Sequence, residues 1–176
     1  DDFEATHHAR LVKHALTDIA DALGDVDGYI ARFSDEDRTN PAIAAGIAER
    51  LLGVQRAEEA MAVLTGAEAT SQAGGHWPDW LRVKIDVLEA LGRMDEAQAE
   101  RWAVFERTLS SEYLRSYLKR LPDFDDVDAE RKALGHVQQY ANFHHALWFL
   151  VDWPSHELAA ELVLARHAEI DGNNYG

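Results

Sequence analysis

Apolar side chains recur at intervals of three and four residues along almost the whole chain, as they do on one face of an α-helix. In the first such stretch, from about Glu4 to Leu23, one row holds Leu11, Ala15 and Ile19. Valine, isoleucine and threonine seldom alternate with polar residues, which a half-buried strand would require. The pattern therefore predicts an all-α protein without a sheet.

Residues that start or stop helices divide this pattern into about nine to ten helices. Asn40 and Pro41 form a start signal, because an asparagine side chain accepts hydrogen bonds from free amides and proline suits the first helical position. Residues 66–75 are expected to form a flexible loop that contains two adjacent glycines. Further boundaries are predicted at Gly24, Pro78, Gly92, Ser110 or Ser111, Pro122 and Pro154.

The second half of the chain contains its most apolar and its most acidic segments. Residues 142–153 read NFHHALWFLVDW and predict the most buried helix, because they are apolar on nearly every side. The segment from Asp123 to Asp128 predicts an exposed helix start, where carboxylates accept hydrogen bonds from free amides and favour the positive end of the helix dipole.

Two stretches of the chain match at an offset of 37 residues. They are Arg56-Ala-Glu-Glu-Ala60 and Arg93-Met-Asp-Glu-Ala97, and a leucine precedes each by five residues, at Leu51 and Leu88. Such a repeat is typical of a helix, a tight turn and a second helix, with a small alanine that lets the two backbones approach closely. We call the two matching stretches the 37-residue echo. The echo predicts antiparallel helix hairpins stacked as an α-α superhelix.

The hairpin pattern resembles the tetratricopeptide-like helical repeats, whose helix pairs join through similar Gly-x-x-x-Glu-Ala turns, as in Gly92-Arg-Met-Asp-Glu-Ala97. The chain departs from those repeats in two ways. Gln55 replaces the turn glycine in the earlier copy, and the offset exceeds the usual spacing of 34 residues. The sequence is therefore repeat-like rather than a clear member of that group.

A second resemblance covers most of the chain. The run from Arg101 to Ser110 and the later Arg120-Leu-Pro-Asp-Phe124 motif are similar to an uncharacterised bacterial family of all-helical proteins of unknown function. The resemblance implies no activity. Members of that family are longer, so residues 1–176 are expected to be a single helical-repeat-like domain from a longer protein.

Composition limits the class of protein and of partner. The chain has 176 residues, of which 47% are hydrophobic, so it can fill one sizeable core, and it has no cysteine for a disulfide or a thiolate metal site. No apolar run reaches the roughly 20 residues that span a bilayer. The formal net charge of −15 disfavours nucleic acid and anionic membranes as partners, and leaves proteins and peptides. The expected compartment is the cytoplasm, and the oligomeric state is not readable.

Basic residues are concentrated locally, because seven of the 17 lysines and arginines lie within residues 101–132. If the arginines of this region converge beside its aromatic residues, they would hold a carboxylate or phosphate through paired hydrogen bonds. The alternative is a set of internal salt bridges to Glu106, Glu112 and the Asp123 segment. The candidate binding residues are Arg101, Trp102, Arg115, Tyr117 and Arg120.

Metal and cofactor sites are not predicted. Glu4, His7, His14 and Asp18 could share one helix face, but no pair of histidines with zinc-binding spacing occurs, so solvated helix residues are the favoured interpretation. The Asp123 segment lacks the oxygen ligand and the glycine that a calcium loop needs at its fifth and sixth positions.

Histidine and tryptophan offer two further candidates. For His144 and His145 a buried, hydrogen-bonded neutral histidine is favoured over catalysis. Most of the five tryptophans are expected in the core, with one or two available as binding anchors.

The sequence contains no nucleophile elbow, P-loop or dinucleotide fingerprint, so it identifies no catalytic residue and leans against an enzyme. The leading hypothesis is a module for protein-protein interaction or scaffolding. The alternatives are a small-anion-binding or enzymatic domain that uses the arginine cluster, and a structural spacer within a larger protein.

Overall fold

A computed structural model describes residues 6–8, 11–12, 15–16, 19, 24–72 and 75–170. Every regular element in these residues is helical, and they contain no strand. The all-α prediction is therefore confirmed. The described residues between 6 and 19 are helical, as predicted for the first helix, whose remaining residues lie outside the described part.

The chain divides into two compact units, residues 1–97 and 98–176. Each has its own cluster of buried apolar side chains. The expectation of a single domain over residues 1–176 stays a prediction, because compactness alone does not show whether either unit folds without the other.

The first unit contains six described helices before the division. Their bounds are α1 Val26–Ile30, α2 Asp35–Arg38, α3 Pro41–Gly53, α4 Ala57–Gly66, α5 Glu68–Gln72 and α6 Pro78–Ala90. The predicted start of α3 is confirmed, because the Asn40 side chain accepts a 2.9 Å hydrogen bond from the Ala42 amide. Pro41 takes the first helical position, where the missing amide proton has no cost.

The core of the first unit is formed where α3 packs against α4 and α6. Much of it is alanine, whose small side chain lets helix backbones approach closely. Larger apolar residues fill the space that remains. The buried members are Ala44, Ala45, Ile47, Ala48, Leu51, Ala60, Leu64, Ala67, Trp80, Val83 and Val87.

The two copies of the 37-residue echo form the same turn. The Arg56 amide donates to the Leu51 carbonyl at 2.9 Å, and the Arg93 amide donates to the Leu88 carbonyl at 2.9 Å. In each turn the preceding residue also donates its amide to the carbonyl three residues earlier. This pair of hydrogen bonds is the Schellman motif, which ends one helix and reverses the chain into the next.

The Schellman motif requires a left-handed backbone at the residue before each arginine. Gly92 has φ 73° and Gln55 has φ 62°. Glycine adopts this conformation without steric cost, whereas for another residue it costs about 1–2 kcal/mol. The turn at Gln55 is therefore strained, and the turn at Gly92 is not.

Each echo arginine also holds a glutamate in the first turn of the helix that it precedes. Arg56 donates two hydrogen bonds of 2.7 Å to the Glu59 carboxylate, and Arg93 donates bonds of 2.7 and 2.6 Å to Glu96. These hydrogen bonds lower the pKa of both carboxyl groups. Arg56 reaches Asp27 at 2.7 Å as well, and so connects α1 to the turn between α3 and α4.

The second unit contains the rest of the helices. Helix α7, Met94–Thr108, begins just before the division, and α8 Ser111–Leu118, α9 Asp125–Gln138, α10 Phe143–Asp152 and α11 His156–Ala165 follow, with a short 3-10 helix at His167–Glu169. Besides the helical residues between 6 and 19, the described part contains eleven α-helices, of which α1, α2 and α5 have only four or five residues each.

The core of the second unit brings α7, α8, α9, α10 and α11 together. Its buried side chains are Phe105, Leu109, Leu114, Ala133, Val137, Phe143, Ala146, Phe149, Leu150, Ala159 and Leu162. Just after α9, the Tyr140 hydroxyl donates a 2.6 Å hydrogen bond to the Arg107 carbonyl, and within α9 a His136 ring nitrogen lies 2.9 Å from the Glu106 carbonyl oxygen. These contacts satisfy carbonyls at the end of α7, which have no partner within their own helix.

A third turn of related geometry joins α10 to α11. The Ser155 amide donates to the Leu150 carbonyl at 2.9 Å, which repeats the longer hydrogen bond of the echo turns. Pro154, at φ 23°, stands where the other two turns have Gln55 and Gly92. The sequence did not reveal this copy, because neither arginine nor glycine marks it.

Three sequence predictions are wrong in detail. Within residues 66–75, Glu68–Gln72 is a helix rather than a loop, because Ala67 is fully buried and Glu68 pairs with Lys84 of α6 at 3.1 Å. Helix α10 is not the most buried helix, since it leaves Trp148 and Val151 exposed. Helix α9 starts in the acidic segment as predicted, but its cap position is Phe124, without a side-chain hydrogen bond.

We expect opposite effects on stability when glycine is removed from one echo turn and introduced at the equivalent position of the other. We expect Gly92→Ala to lower the free energy of unfolding by about 1 kcal/mol, because alanine must take the left-handed backbone. Gln55→Gly removes that strain, and we expect it to raise the free energy of unfolding by about 0.5–1 kcal/mol. Urea denaturation followed by circular dichroism measures both.

Gly53→Ala is the matched control. Gly53 lies at the end of α3 without a left-handed backbone, and a methyl group there would meet no atom within 4 Å. Alanine should therefore raise the free energy of unfolding by about 0.5–1 kcal/mol, the opposite sign to Gly92→Ala. Equal signs for the two alanine variants would contradict the turn geometry.

Candidate functional site

A row of aromatic rings runs through the second unit. Trp102 and Phe105 lie one turn apart on α7, with ring centroids 5.4 Å apart, and Phe105 contacts Phe149 of α10 at 5.7 Å. Phe149 stacks nearly parallel on Trp153, at 5.6 Å. We call these four residues the aromatic row. Tilted and offset-stacked pairs of this kind add about 0.5–1.5 kcal/mol each beyond the burial of area.

A cation lies over the ring at each end of the aromatic row. The Lys132 ammonium is 4.5 Å from the Trp102 ring centroid, and the Arg115 guanidinium carbon is 5.0 Å from the Trp153 centroid. Both cations belong to exposed residues, so each contact contributes about 0.5–1 kcal/mol. The row therefore joins the core of the second unit to two positively charged points on its surface.

Hydrogen bonds and ring contacts orient the tryptophans and their neighbours. The Trp153 indole nitrogen donates a 2.6 Å hydrogen bond to the Glu130 carboxylate. Tyr117 of α8 packs on Trp102 with centroids 5.1 Å apart, and its backbone carbonyl accepts a 3.1 Å hydrogen bond from the Gln98 amide. The arrangement fixes half-buried aromatic surface in place, which suits recognition of a partner.

The structure brings the two predicted aromatic residues together but directs the three predicted arginines to different partners. Arg101 is only 3% exposed and donates a 3.1 Å hydrogen bond to the Gln98 side chain. Arg115 lies over Trp153, and its guanidinium is 3.8 Å from the Asp152 carboxylate. These contacts place Arg101 inside the unit and Arg115 at its surface.

Arg120, the last predicted cation, folds back on its own helix. Its guanidinium donates to the Ser116 carbonyl at 3.0 Å and to the Ser116 hydroxyl at 2.7 Å. The anion-binding role of this cluster stays a prediction. The contacts themselves favour positioning of aromatic rings over joint capture of one ligand.

The sequence analysis did not name four members of this site: Phe105, Lys132, Phe149 and Trp153. Lys132 appeared only in the count of local cations, and Trp153 only among five tryptophans of which most were expected in the core and one or two as binding anchors. The spacing of Phe149 and Trp153, one helical turn apart, was a usable signal for ring stacking. The contacts between helices were not usable signals, because residues 23 to 38 positions apart meet only after folding.

The histidine and metal predictions have mixed outcomes. Neither His144 nor His145 is buried, since His144 is half-buried against Phe143 and His145 is exposed, so the prediction of a buried histidine is wrong. Of the four residues proposed to share a face of the first helix, His7 is exposed and the others lie outside the described part. The described residues contain no group of three His, Asp or Glu side chains able to hold a metal ion.

In the described part of the chain, no helix is both long enough and apolar enough to cross a bilayer.

Comparison with known proteins decides the family. The pattern that defines DUF6880, a family of unknown function, matches residues 1–176. The chain belongs to DUF6880. This confirms the resemblance to an all-helical family of unknown function. No curated protein and no solved structure matches this DUF6880 chain.

The aromatic row gives a prediction for this DUF6880 protein. Phe105 is fully buried and contacts Trp102, Phe149 and the His136 ring. We expect Phe105→Ala to lower the free energy of unfolding by about 3–5 kcal/mol, because it opens a cavity at the centre of the row. Chemical denaturation measures the loss.

Phe105→Leu is the comparison variant, since leucine keeps most of the buried volume and should lose less than half as much. A loss below about 1 kcal/mol for Phe105→Ala would show that the row does not hold the second unit together.

Proposed function

We propose that this chain is a protein-interaction module and that a partner protein packs on the outer face of α10. The observation that carries the proposal is Trp148, which is 74% exposed on a helix whose buried residues are all apolar. A tryptophan held in water forfeits the favourable transfer of a large apolar ring out of water. A partner that covers it would recover that free energy.

The neighbours of Trp148 support a docking surface rather than an isolated exposed ring. Val151, three residues on, is also exposed, and Asp152, four residues on, is exposed and lies beside Arg115. Residues three and four apart share one face of a helix. This α10 surface thus combines a tryptophan, an aliphatic residue and an arginine-carboxylate pair, and tryptophan and arginine are enriched among residues that dominate binding energy.

The fixed position of Arg115 adds to the support. Its contact with Trp153 reduces the side-chain freedom that would otherwise be lost on binding. The surface is therefore partly ordered before a partner arrives.

Other parts of the proposal rest on the sequence and the local turns. The tetratricopeptide-like hairpin is supported by the Schellman turn shared by the two echo copies. A chain without cysteine fits the cytoplasm, where disulfides are rare, and a net charge of −15 favours a protein partner over nucleic acid or an anionic membrane.

Trp148→Ala tests the proposed function. A photo-reactive amino acid at position 151 identifies the protein that contacts α10 in the source cell, and calorimetry then gives its dissociation constant. We expect Trp148→Ala to raise that constant by about 30-fold, equivalent to about 2 kcal/mol for an anchor residue. The free energy of unfolding should change by no more than about 0.5 kcal/mol, because the ring is exposed.

Met94→Ala serves as the control, since Met94 is an exposed apolar residue outside the α10 surface and its loss should leave the dissociation constant unchanged. An unchanged constant for Trp148→Ala would reject α10 as the docking surface. So would a photo-reactive residue that forms no cross-link to any protein.

Anion binding in the region of the arginine cluster is the second candidate function, and the observation in its favour is that Lys132 and Arg115 each present a cation at the surface, over Trp102 and Trp153. If it is correct, millimolar inorganic phosphate or a phosphorylated metabolite raises the melting temperature of the unaltered chain by mass action, and Lys132→Ala reduces the rise. Equal melting temperatures with and without these ligands would leave the interaction module or a structural spacer.

A further inference from the structure

The turn that leads into α9 contains the most exposed large apolar side chain among the described residues. Phe124 is 86% exposed, and Val127, three residues on, is 55% exposed. Phe124 lies directly before α9, and Val127 lies in the first turn of that helix. The rest of the second unit leaves most of both side chains uncovered. We call Phe124 and Val127 the apolar pair.

The backbone conformation of Phe124 adds a second free-energy cost to that of exposing its ring to water. Its φ of 76° and ψ of −19° are left-handed, a conformation that costs a bulky residue about 1–2 kcal/mol and that glycine or asparagine adopts more readily. The ring gains little from burial in return. Neither local geometry nor packing explains phenylalanine at this position, and residues held at such cost are concentrated at functional sites.

The charges around the apolar pair select the kind of partner. Asp123, Asp125, Asp126 and Asp128 are all exposed, and they alternate with the apolar pair along the same six residues. One nearby cation, Arg131, is held by Asp128 at 2.6 Å. The segment as a whole is strongly negative, so it attracts a positively charged surface and repels an acidic one.

We propose that the apolar pair docks into a protein segment that presents an apolar pocket or side chain flanked by lysine or arginine. Phe124 supplies the anchor, Val127 extends its apolar contact, and the four aspartates pair with the basic rim of the partner. The inference goes beyond the α10 surface, because it rests on a different helix and on a strained backbone, and it names the chemistry of the partner.

The first test asks whether Phe124 serves the fold. If its side chain serves only a partner, Phe124→Gly relieves the left-handed strain and raises the melting temperature by about 2–4 °C. A fall in the melting temperature would show that the ring stabilises the folded chain, and would overturn the proposal.

The second test uses a library of random 12-residue peptides displayed on phage and selected on the unaltered chain at low salt. We expect the enriched peptides to carry lysine or arginine beside a large apolar residue. Their dissociation constants should rise at least tenfold for Phe124→Asn, because asparagine tolerates the left-handed backbone but removes the anchor. The double variant Asp125→Asn, Asp126→Asn should also weaken peptide binding and reduce the dependence of that binding on added salt.

Trp148→Asn separates this inference from the proposed function. Peptides that dock on the apolar pair should bind Trp148→Asn with an unchanged dissociation constant. Peptides lost with Trp148→Asn and retained by Phe124→Asn would support the α10 surface and overturn the inference.

Three further outcomes also overturn it. They are enrichment of peptides without basic residues, no enrichment at all, and dimerisation of the unaltered chain that Phe124→Asn abolishes, since the occupant would then be a second copy.

Discussion

The backbone hydrogen bond that crosses three of the turns between helices is the constraint on which the packing around those turns depends. It runs from the amide that follows the turn to a leucine carbonyl five residues earlier, and it occurs at Leu51, Leu88 and Leu150. Because it ends one helix and sets the direction of the next, it decides which faces of the two helices meet. The buried alanines at Ala60 and Ala97, four residues after the echo arginines, allow close approach at those faces.

Much of this architecture was readable from the sequence because it is locally encoded. The Asn40 cap, the breaks at Pro78 and Gly92, and the echo itself all act within a few residues of where they stand. The errors arose where distant contacts override local preference. The pairing of Glu68 with Lys84 organises a helix in a glycine-bounded segment, and no pattern within α10 shows which of its apolar sides a neighbour will cover.

The candidate site was readable only in part, for the same reason. Trp102 and Tyr117 lie on consecutive helices, and their contact followed from the expectation that consecutive helices pack together. The partners of the arginines did not follow. Arg120 binds its own helix and Arg115 reaches a ring 38 residues away, and both outcomes depend on side-chain geometry that composition does not carry. Positive charge along the sequence was therefore a poor guide to where positive charge gathers in space.

The alanines at the centre of the first unit restrict how this protein can change. Ala44, Ala48, Ala60 and Ala67 are completely buried, in an interior where three helices already lie close. Truncation to glycine there removes a single methyl group, whereas any enlargement must force helices apart or drive side chains from their preferred rotamers. Over evolutionary time such positions accept a smaller residue more readily than a larger one. The exposed faces of the helices are therefore the part of the molecule that is free to diversify.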